Sequence, residues 1–159
     1  MLFYRIVGAL ILAFSGFYAS VSMNSRLTNT LKQTEAIITL MLFIRSQVEC
    51  FALPSSEMIA LCDRALLREC GFEGDEPPTD ICALFDSFGI ADSKTAQLAR
   101  SFAESFGRCY REEQIKECDY YIELFRDRRQ ILAEALPAKK RVNSTLCISS
   151  AIALIILFL

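Results

Sequence analysis

Histidine is absent from this sequence of 159 residues. Its absence excludes Ser-His-Asp and Cys-His catalysis, Cys₂His₂ zinc sites and histidine pH switches. The chain also lacks a Walker A lysine motif and a GxGxxG motif, two glycine-rich phosphate-binding signatures. The sequence therefore argues against an enzyme, and it indicates no catalytic residue, metal site or cofactor site.

Charge is also absent from both ends of the chain. Residues 6–25 and 142–159 carry no charged side chain, and every Asp and Glu lies between Glu35 and Glu134. As helices these two stretches would be about 30 Å and about 27 Å long, close to the hydrocarbon thickness of a bilayer. We therefore predict a transmembrane helix in residues 1–25, a helical domain in 26–141 and a second transmembrane helix in 142–159.

Each end has a second interpretation. The start MLFYR and the apolar run after it also fit a secretory signal peptide, with residues 19–22 as a small-residue cleavage region. We favour a retained anchor because no Pro or Gly interrupts residues 17–53, so the helix can continue into the polar region. The last segment could instead be a core helix, but residues 152–159 leave no polar face.

Basic residues indicate how the chain is oriented in the membrane. The flanks that face the middle domain contain more positive charge than the opposite flank, which has only Arg5 and the amino terminus. Positive flanks stay on the cytoplasmic side, so we expect a cytoplasmic domain with both ends outside. The net charge of -2 argues against a nucleic-acid partner. The basic residues facing the domain are Arg26, Lys32, Lys139, Lys140 and Arg141.

The middle region predicts an all-α, antiparallel bundle of about five helices, because no stretch has the two-residue period of a strand. The long first helix ends before Pro54, and a second helix, capped by Ser55 or Ser56, is expected to run to about Cys70. An acidic loop, GFEGDEPPTD, follows. The next two helices are expected to be capped by Thr79 or Asp80 and by Asp92 or Ser93, and the last to run from Arg111 to Leu136, before Pro137.

The last of these helices has two features that could contact a partner. Its apolar residues follow a heptad pattern that is more typical of an internal seam than of a partner interface. A charged run, residues 126–129, is usually a solvated helix face, but it could contact anionic lipid or an acidic partner. The heptad positions are Ile115, Cys118, Ile122, Phe125, Leu132 and Leu136, and the candidate lipid or partner contacts are Arg126, Arg128, Arg129, Lys139, Lys140 and Arg141.

The seven cysteines follow no metal or redox spacing. None forms a CxxC pair, and most lie in apolar helical stretches. We expect small core residues kept reduced in a cytosol, and the alternative is a disulfide framework in an exported domain. Cys109, beside Arg108, is the best candidate for a nucleophile, but a lone cysteine without histidine is a poor one.

The order of these features resembles stage III sporulation protein AB of endospore-forming bacteria. The resemblance rests on Gly8-Ala9 in the first apolar helix, the segment IRSQVECFALP, the segment FAESFGRCYREEQ, and a basic stretch before an apolar tail. It covers nearly the whole chain. Its motif positions are Phe102, Gly107, Arg111 and Gln114, and Tyr110 stands where the family usually has an Asp.

The resemblance implies a non-catalytic platform in a transenvelope complex between mother cell and forespore. It implies a soluble domain similar to the helical domain of the type II secretion platform protein. It also implies that the protein is located at the mother-cell membrane around the forespore. The implied partners are membrane lipid, the ATPase stage III sporulation protein AA and other stage III membrane subunits, with no cofactor and no small-molecule substrate. The alternative is a membrane-anchored helical adaptor or regulator unrelated to sporulation.

Overall fold

The computed structural model describes residues 2–51 and 53–158, with side chains for Tyr18, for residues 21–51 and 53–150, and for Ile152 and Ala153. Within these residues the protein is all helical, as predicted, and contains no strand. Two very long helices enclose four shorter ones in the sequence. They are α1 (Leu2–Cys50), α2 (Ser55–Ala60), α3 (Arg64–Glu69), α4 (Ile81–Asp86), α5 (Ser93–Ser105) and α6 (Arg111–Phe158).

The chain divides into two compact units, and both long helices contribute to each. The terminal unit consists of Met1–Asn29 with Leu132–Leu159, and the bundle unit is Thr30–Ile131. The described residues contain no helix that is long and apolar enough to cross a membrane. Most side chains of the first predicted span, residues 1–25, lie outside the described residues, as do those of residues 151 and 154–159 in the second, residues 142–159.

The core of the bundle unit is built from one stripe of each long helix and from the short helices. On α1, Ile37, Leu40, Met41 and Ile44 are at most 2% exposed. Within the predicted heptad pattern of α6, Cys118, Ile122 and Phe125 are buried, so this part of the stripe faces the interior. An aromatic cluster lies between α4, α5 and α6, with neighbouring ring centroids 5.3–5.5 Å apart. Its members are Phe85, Phe88, Phe102, Phe106 and Tyr121.

Three of the four short helices, α3, α4 and α5, begin where an aspartate side chain caps the first turn. The expected cap of α2 by Ser55 or Ser56 was wrong, because this helix follows Pro54 and has no side-chain cap. Asp80 accepts a hydrogen bond from Ala83 N at 3.2 Å, and Asp92 accepts one from Thr95 N at 2.9 Å. Such a cap satisfies a backbone N–H that has no partner within the helix. Asp80 and Asp92 were among the predicted caps, and the structure selects them over Thr79 and Ser93.

Two predicted helix boundaries were wrong. The single helix expected from Ser55 to about Cys70 is two helices, because Asp63 accepts a hydrogen bond from Ala65 N at 2.9 Å and starts a new one. Leu61, at the break between the two helices, is 60% exposed. The last helix does not end before Pro137 but continues through it to Phe158. Proline removes one backbone hydrogen bond and usually kinks a helix interior, but here it does not terminate the helix.

Candidate functional site

The four motif residues lie around the junction between α5 and α6, and two of them, Gly107 and Gln114, contact each other. Phe102 is fully buried, with its ring centroid 5.5 Å from that of Phe85 and 5.4 Å from that of Tyr121. Gly107, after the end of α5, has a φ of +81°, in the left-handed region that favours glycine. Its N–H donates to Gln114 Oε1 at 2.7 Å. Gln114 is 4% exposed, so a buried side chain supplies the hydrogen-bond acceptor for the backbone N–H of this turn.

Arg111 connects this junction to the end of α1. Its Nε donates to the carbonyl oxygen of Val48 at 3.1 Å, and its Nη2 donates to that of Glu49. The last carbonyls of a helix lack intrahelical donors and carry a partial negative charge, which a guanidinium both pairs and neutralises. Gly107, Arg111 and Gln114 therefore form one joint, called here the α5–α6 joint, which holds the end of α5 and the end of α1 to the start of α6, while Phe102 packs in the adjacent core.

The three basic candidates on the middle of α6 all have acidic partners within the bundle unit. Arg128 forms a two-point ion pair with Asp92, at 2.7 Å and 2.9 Å, and both side chains are only 16% exposed. Arg129 contacts Glu35 at 2.6 Å, and Arg126 contacts Glu123 at 2.5 Å, both at the surface. Arg128 thus stabilises the fold, whereas Arg126 and Arg129 remain accessible to a partner.

Asp92, the partner of Arg128, accepts several hydrogen bonds. Its carboxylate accepts hydrogen bonds from Arg128, from Thr95 N and from Thr95 Oγ1. The hydrogen bond from Arg128 is the largest of the causes that lower its pKa to about 2, and the two bonds from Thr95 act in the same direction against partial burial. The pKa of Arg128 is raised by the same pair. Both groups therefore stay charged across the physiological range.

The remaining basic candidates belong to the terminal unit. Lys139 and Arg141 are exposed and Lys140 is half-buried. Because α6 continues through Pro137, all three lie on helix rather than in a loop. No salt bridge joins them to an acidic group in the described part of the chain.

Gln33 is a structural residue that the sequence pattern did not reveal. Its Nε2 donates to the carbonyl oxygens of Cys70 and Gly89, both at 3.0 Å, and its Oε1 accepts from Ala91 N at 3.3 Å. One side chain of α1 thereby holds the turns after α3 and α4. The sequence does not predict these contacts, because Gln33 is a single polar residue whose partners lie 37 to 58 positions away.

All seven cysteines are free, but only two of them are buried, so the expectation that they are core residues was wrong for the other five. Cys70 and Cys118 are fully buried, and burial is the main cause that raises their pKa values to about 12 and about 11. Cys109, the nucleophile candidate, is exposed. The described residues contain no cluster of three or more side chains that could hold a metal ion.

The bundle unit has shallow surface grooves. One of about 490 Å³ is lined by Arg126, Arg129 and Glu35 of the ion pairs above, together with Ile38 and Gln130. Another, of about 410 Å³, lies between α4 and α5 and includes the exposed pair Asp86–Arg100. Such open grooves with mixed charges on their rims resemble protein contact surfaces more than the concave, mostly apolar sites of small ligands.

Comparisons with protein-family models, curated proteins and solved structures find no match to this chain.

Proposed function

We propose that the protein is a non-catalytic membrane platform of the sporulation channel between mother cell and forespore. Its helical bundle would dock the ATPase stage III sporulation protein AA, and its two ends would anchor it beside other stage III membrane subunits. The observation that carries the proposal is the α5–α6 joint. Three separated residues of the motif that carries the resemblance, Gly107, Arg111 and Gln114, hold the ends of helices together there, which is a reason for a family to keep that spacing.

The chemistry of the bundle unit favours docking over catalysis. The chain lacks histidine, and the buried thiols have raised pKa values that keep them protonated. The exposed ion pairs on α6 lie beside an open groove. A rigid bundle with an accessible mixed-charge surface is suited to hold another protein in a fixed orientation.

The terminal unit supports the anchoring part of the proposal. Large apolar side chains are exposed along both helices there, namely Tyr18, Val21, Met23, Val142, Leu146, Ile148 and Ile152. Thr145, Ser149 and Ser150 donate their hydroxyl hydrogens to carbonyl oxygens three or four residues earlier in α6. Hydroxyl groups that donate to backbone carbonyls need no hydrogen bond from water, and exposed apolar side chains are favourable where they contact lipid.

The decisive experiment is binding of purified stage III sporulation protein AA from the same source to the full chain in nanodiscs. We expect measurable binding, weakened when Arg126 and Arg129 are both changed to Glu. The matched control changes Arg64 and Arg108, two exposed arginines elsewhere in the bundle unit, to Glu. Arg128 is unsuitable for this test because its loss would damage the fold.

The possible outcomes separate the parts of the proposal. If the wild-type chain does not bind the ATPase, the docking function is wrong. If both double variants bind like wild type, Arg126 and Arg129 are not the docking residues, although the platform function stands. Expression in vegetative growth rather than in sporulation would favour the adaptor or regulator unrelated to sporulation.

A further inference from the structure

One surface of the bundle unit is formed by α1 and α6 and carries two ion pairs between these helices. Glu35 of α1 pairs with Arg129 of α6 at 2.6 Å, and Arg45 of α1 pairs with Asp119 of α6 at 2.5 Å. Ten positions separate the two pairs on each helix, so the pairs lie about 15 Å apart along the axes of two antiparallel helices. We call this surface the α1–α6 face.

Acid and base exchange helices between the two levels of the α1–α6 face. At the first level the acid, Glu35, is on α1 and the base, Arg129, is on α6. At the second level the base, Arg45, is on α1 and the acid, Asp119, is on α6. The four side chains therefore form a checkerboard of charge.

A checkerboard of charge is complementary to itself. If two copies stack this face with their α1 helices parallel, each α1 covers the other copy's α6, and Glu35 faces Arg129 of the second copy. If the α1 helices are antiparallel, they cover each other, and Glu35 faces Arg45 of the second copy. Both twofold arrangements thus bring every acid of the checkerboard opposite a base.

The total charge of the α1–α6 face is nearly balanced as well. The exposed pair Glu123–Arg126 lies on α6 between the two levels, and Glu49 is a second acidic partner of Arg45. The face therefore has four acidic and three basic side chains. Two copies of such a face repel each other only weakly, whereas a surface of one sign would keep them apart.

The centre of the face, between the two charged levels, is apolar on α1. Leu42 is 41% exposed. Ile38 lies four residues earlier, on the same side of the helix, and lines the groove of about 490 Å³ described above. An apolar centre with a polar, charged rim is the usual composition of a protein–protein interface.

We infer that the α1–α6 face binds a second copy of this chain and forms a homodimer with twofold symmetry. Such a dimer uses the same surface on both copies, so that surface must be complementary to itself. The checkerboard around Ile38 and Leu42 meets this requirement, which a different partner protein would not impose. The inference goes beyond the proposed docking function and does not depend on it. Because Arg126 and Arg129 lie on this face, the ATPase would have to displace the second copy in order to dock.

The size of the face sets the expected strength of the dimer. From Glu35 to Glu49, α1 rises about 21 Å, and two packed helices are about 20 Å wide. A patch of these dimensions is at or below the standard interface of about 800 Å² per partner. We therefore expect a dissociation constant in the micromolar range.

The first test is sedimentation equilibrium of the full chain in density-matched detergent across the micromolar range. We expect wild type to dimerise as its concentration rises. Leu42→Glu should weaken the dimer about tenfold or more, because it removes an apolar contact and places an unpaired charge in the interface. The matched control is Leu61→Glu, at a position that is 60% exposed between α2 and α3, and it should dimerise like wild type.

Three results would overturn the inference. They are a wild-type chain that stays monomeric throughout, a Leu42→Glu variant that dimerises like wild type, and equal weakening by Leu42→Glu and Leu61→Glu. The first of these is also the result expected if the face serves only a different protein.

A charge swap tests the checkerboard itself. The quadruple variant Glu35→Arg, Arg129→Glu, Arg45→Asp and Asp119→Arg inverts every charge of the pattern but keeps both ion pairs within the chain. Swapped chains should bind each other, because each acid still faces a base. They should not bind wild type, because like charges would then face each other across the interface.

Capture of an untagged chain by a tagged one measures this selectivity. Tagged and untagged swapped chains should bind as well as two wild-type chains do, while capture in the mixed pair should fall about fivefold or more. Thermal melting by circular dichroism checks that the swapped chain is folded, and if it is not, Leu42→Glu decides alone. Undiminished capture in the mixed pair would show that this face is not the interface. Since no ATPase takes part, the result leaves the proposed docking function to its own test.

Discussion

Asp92 and Arg128 are joined by two hydrogen bonds between the start of α5 and the middle of α6. Arg128 Nε donates to Asp92 Oδ2 at 2.9 Å, and Arg128 Nη2 donates to Oδ1 at 2.7 Å. The same carboxylate caps α5 through Thr95 N. One aspartate therefore sets both the start of a helix and its attachment to a neighbour, which makes the pair the main polar link across this side of the bundle unit.

A double-mutant cycle should show strong coupling between these two residues. Asp92→Ala, Arg128→Ala and the double variant should give an interaction energy on the order of 1–3 kcal/mol, because each single change leaves a shielded charge without its partner. The measurement is urea unfolding of the full chain in mild detergent. The control cycle uses Arg126 and Glu123, whose side chains are 51% and 66% exposed and should couple by about 0.5 kcal/mol or less. Equal coupling in both cycles would contradict the role given to Asp92.

Acid should remove the contribution of Asp92 in a defined pH range. The hydrogen bond from Arg128 lowers the pKa of Asp92 from the model-peptide value of 3.8 to about 2 in the folded protein. Because the folded pKa is the lower one, the stabilisation is complete above pH 4 and is lost as the pH falls toward 2. Asn cannot ionise but can still cap a helix. The difference in melting temperature between wild type and Asp92→Asn should therefore shrink from pH 5 to pH 2, and a constant difference would contradict this account.

The features that the sequence predicted well are local ones. The caps at Asp80 and Asp92 follow from a short polar side chain placed directly before an apolar helical pattern. Helical spacing places Cys118, Ile122 and Phe125 on one face of α6, and the fold shows that this face is internal rather than a partner interface. The contacts of Gln33 and Arg128 were not predictable in this way, because their partners lie 36 to 58 positions away and no periodic pattern specifies them.

The errors in helix boundaries have the same origin. Leu61 continues a plausible apolar face, but Asp63 competes with the backbone and starts a new helix there. At Pro137 the local rule predicted a stop, while the structure continues α6 to Phe158. Among the candidate sites, the motif residues were singled out by the resemblance, whereas the connection of Arg111 to Val48 and Glu49 required the fold.

Two glycines with positive φ should respond differently to alanine. Gly71 has a φ of +101°, and an added Cβ there would lie 2.5 Å from Gln33 Nε2 and 3.2 Å from Gly89 N. Gly107 has a φ of +81° with no neighbouring atom within 4 Å of an added Cβ. Gly107→Ala should cost about 1–2 kcal/mol from the left-handed conformation alone. Gly71→Ala should cost more, because it also displaces the side chain of Gln33.

Urea unfolding of the two glycine variants measures the difference in their free energies of unfolding. Gly74→Ala is a third variant for comparison, since it tests a steric contact without a left-handed backbone. Gly74 has no positive φ, and its added Cβ would meet only the ring of Phe72, at 2.6 Å. Combining Gly71→Ala with Gln33→Ala should recover part of the loss, since the smaller side chain no longer opposes the methyl group. Equal losses at Gly71 and Gly107 would show that Gln33 does not constrain the turn.

Alkylation of the native thiols tests burial and compartment together. Cys50 and Cys109 are exposed, so both should react within minutes at pH 8. Burial raises the pKa of Cys118 to about 11, so only about one molecule in a thousand carries the reactive thiolate at pH 8, and the side chain is also inaccessible. Cys70, with a pKa raised to about 12, should be slower still. In denaturant without reductant all seven thiols should react. A smaller number would reveal disulfides, and since disulfides persist in oxidising compartments, the bundle would then be exported and could not meet a cytoplasmic ATPase.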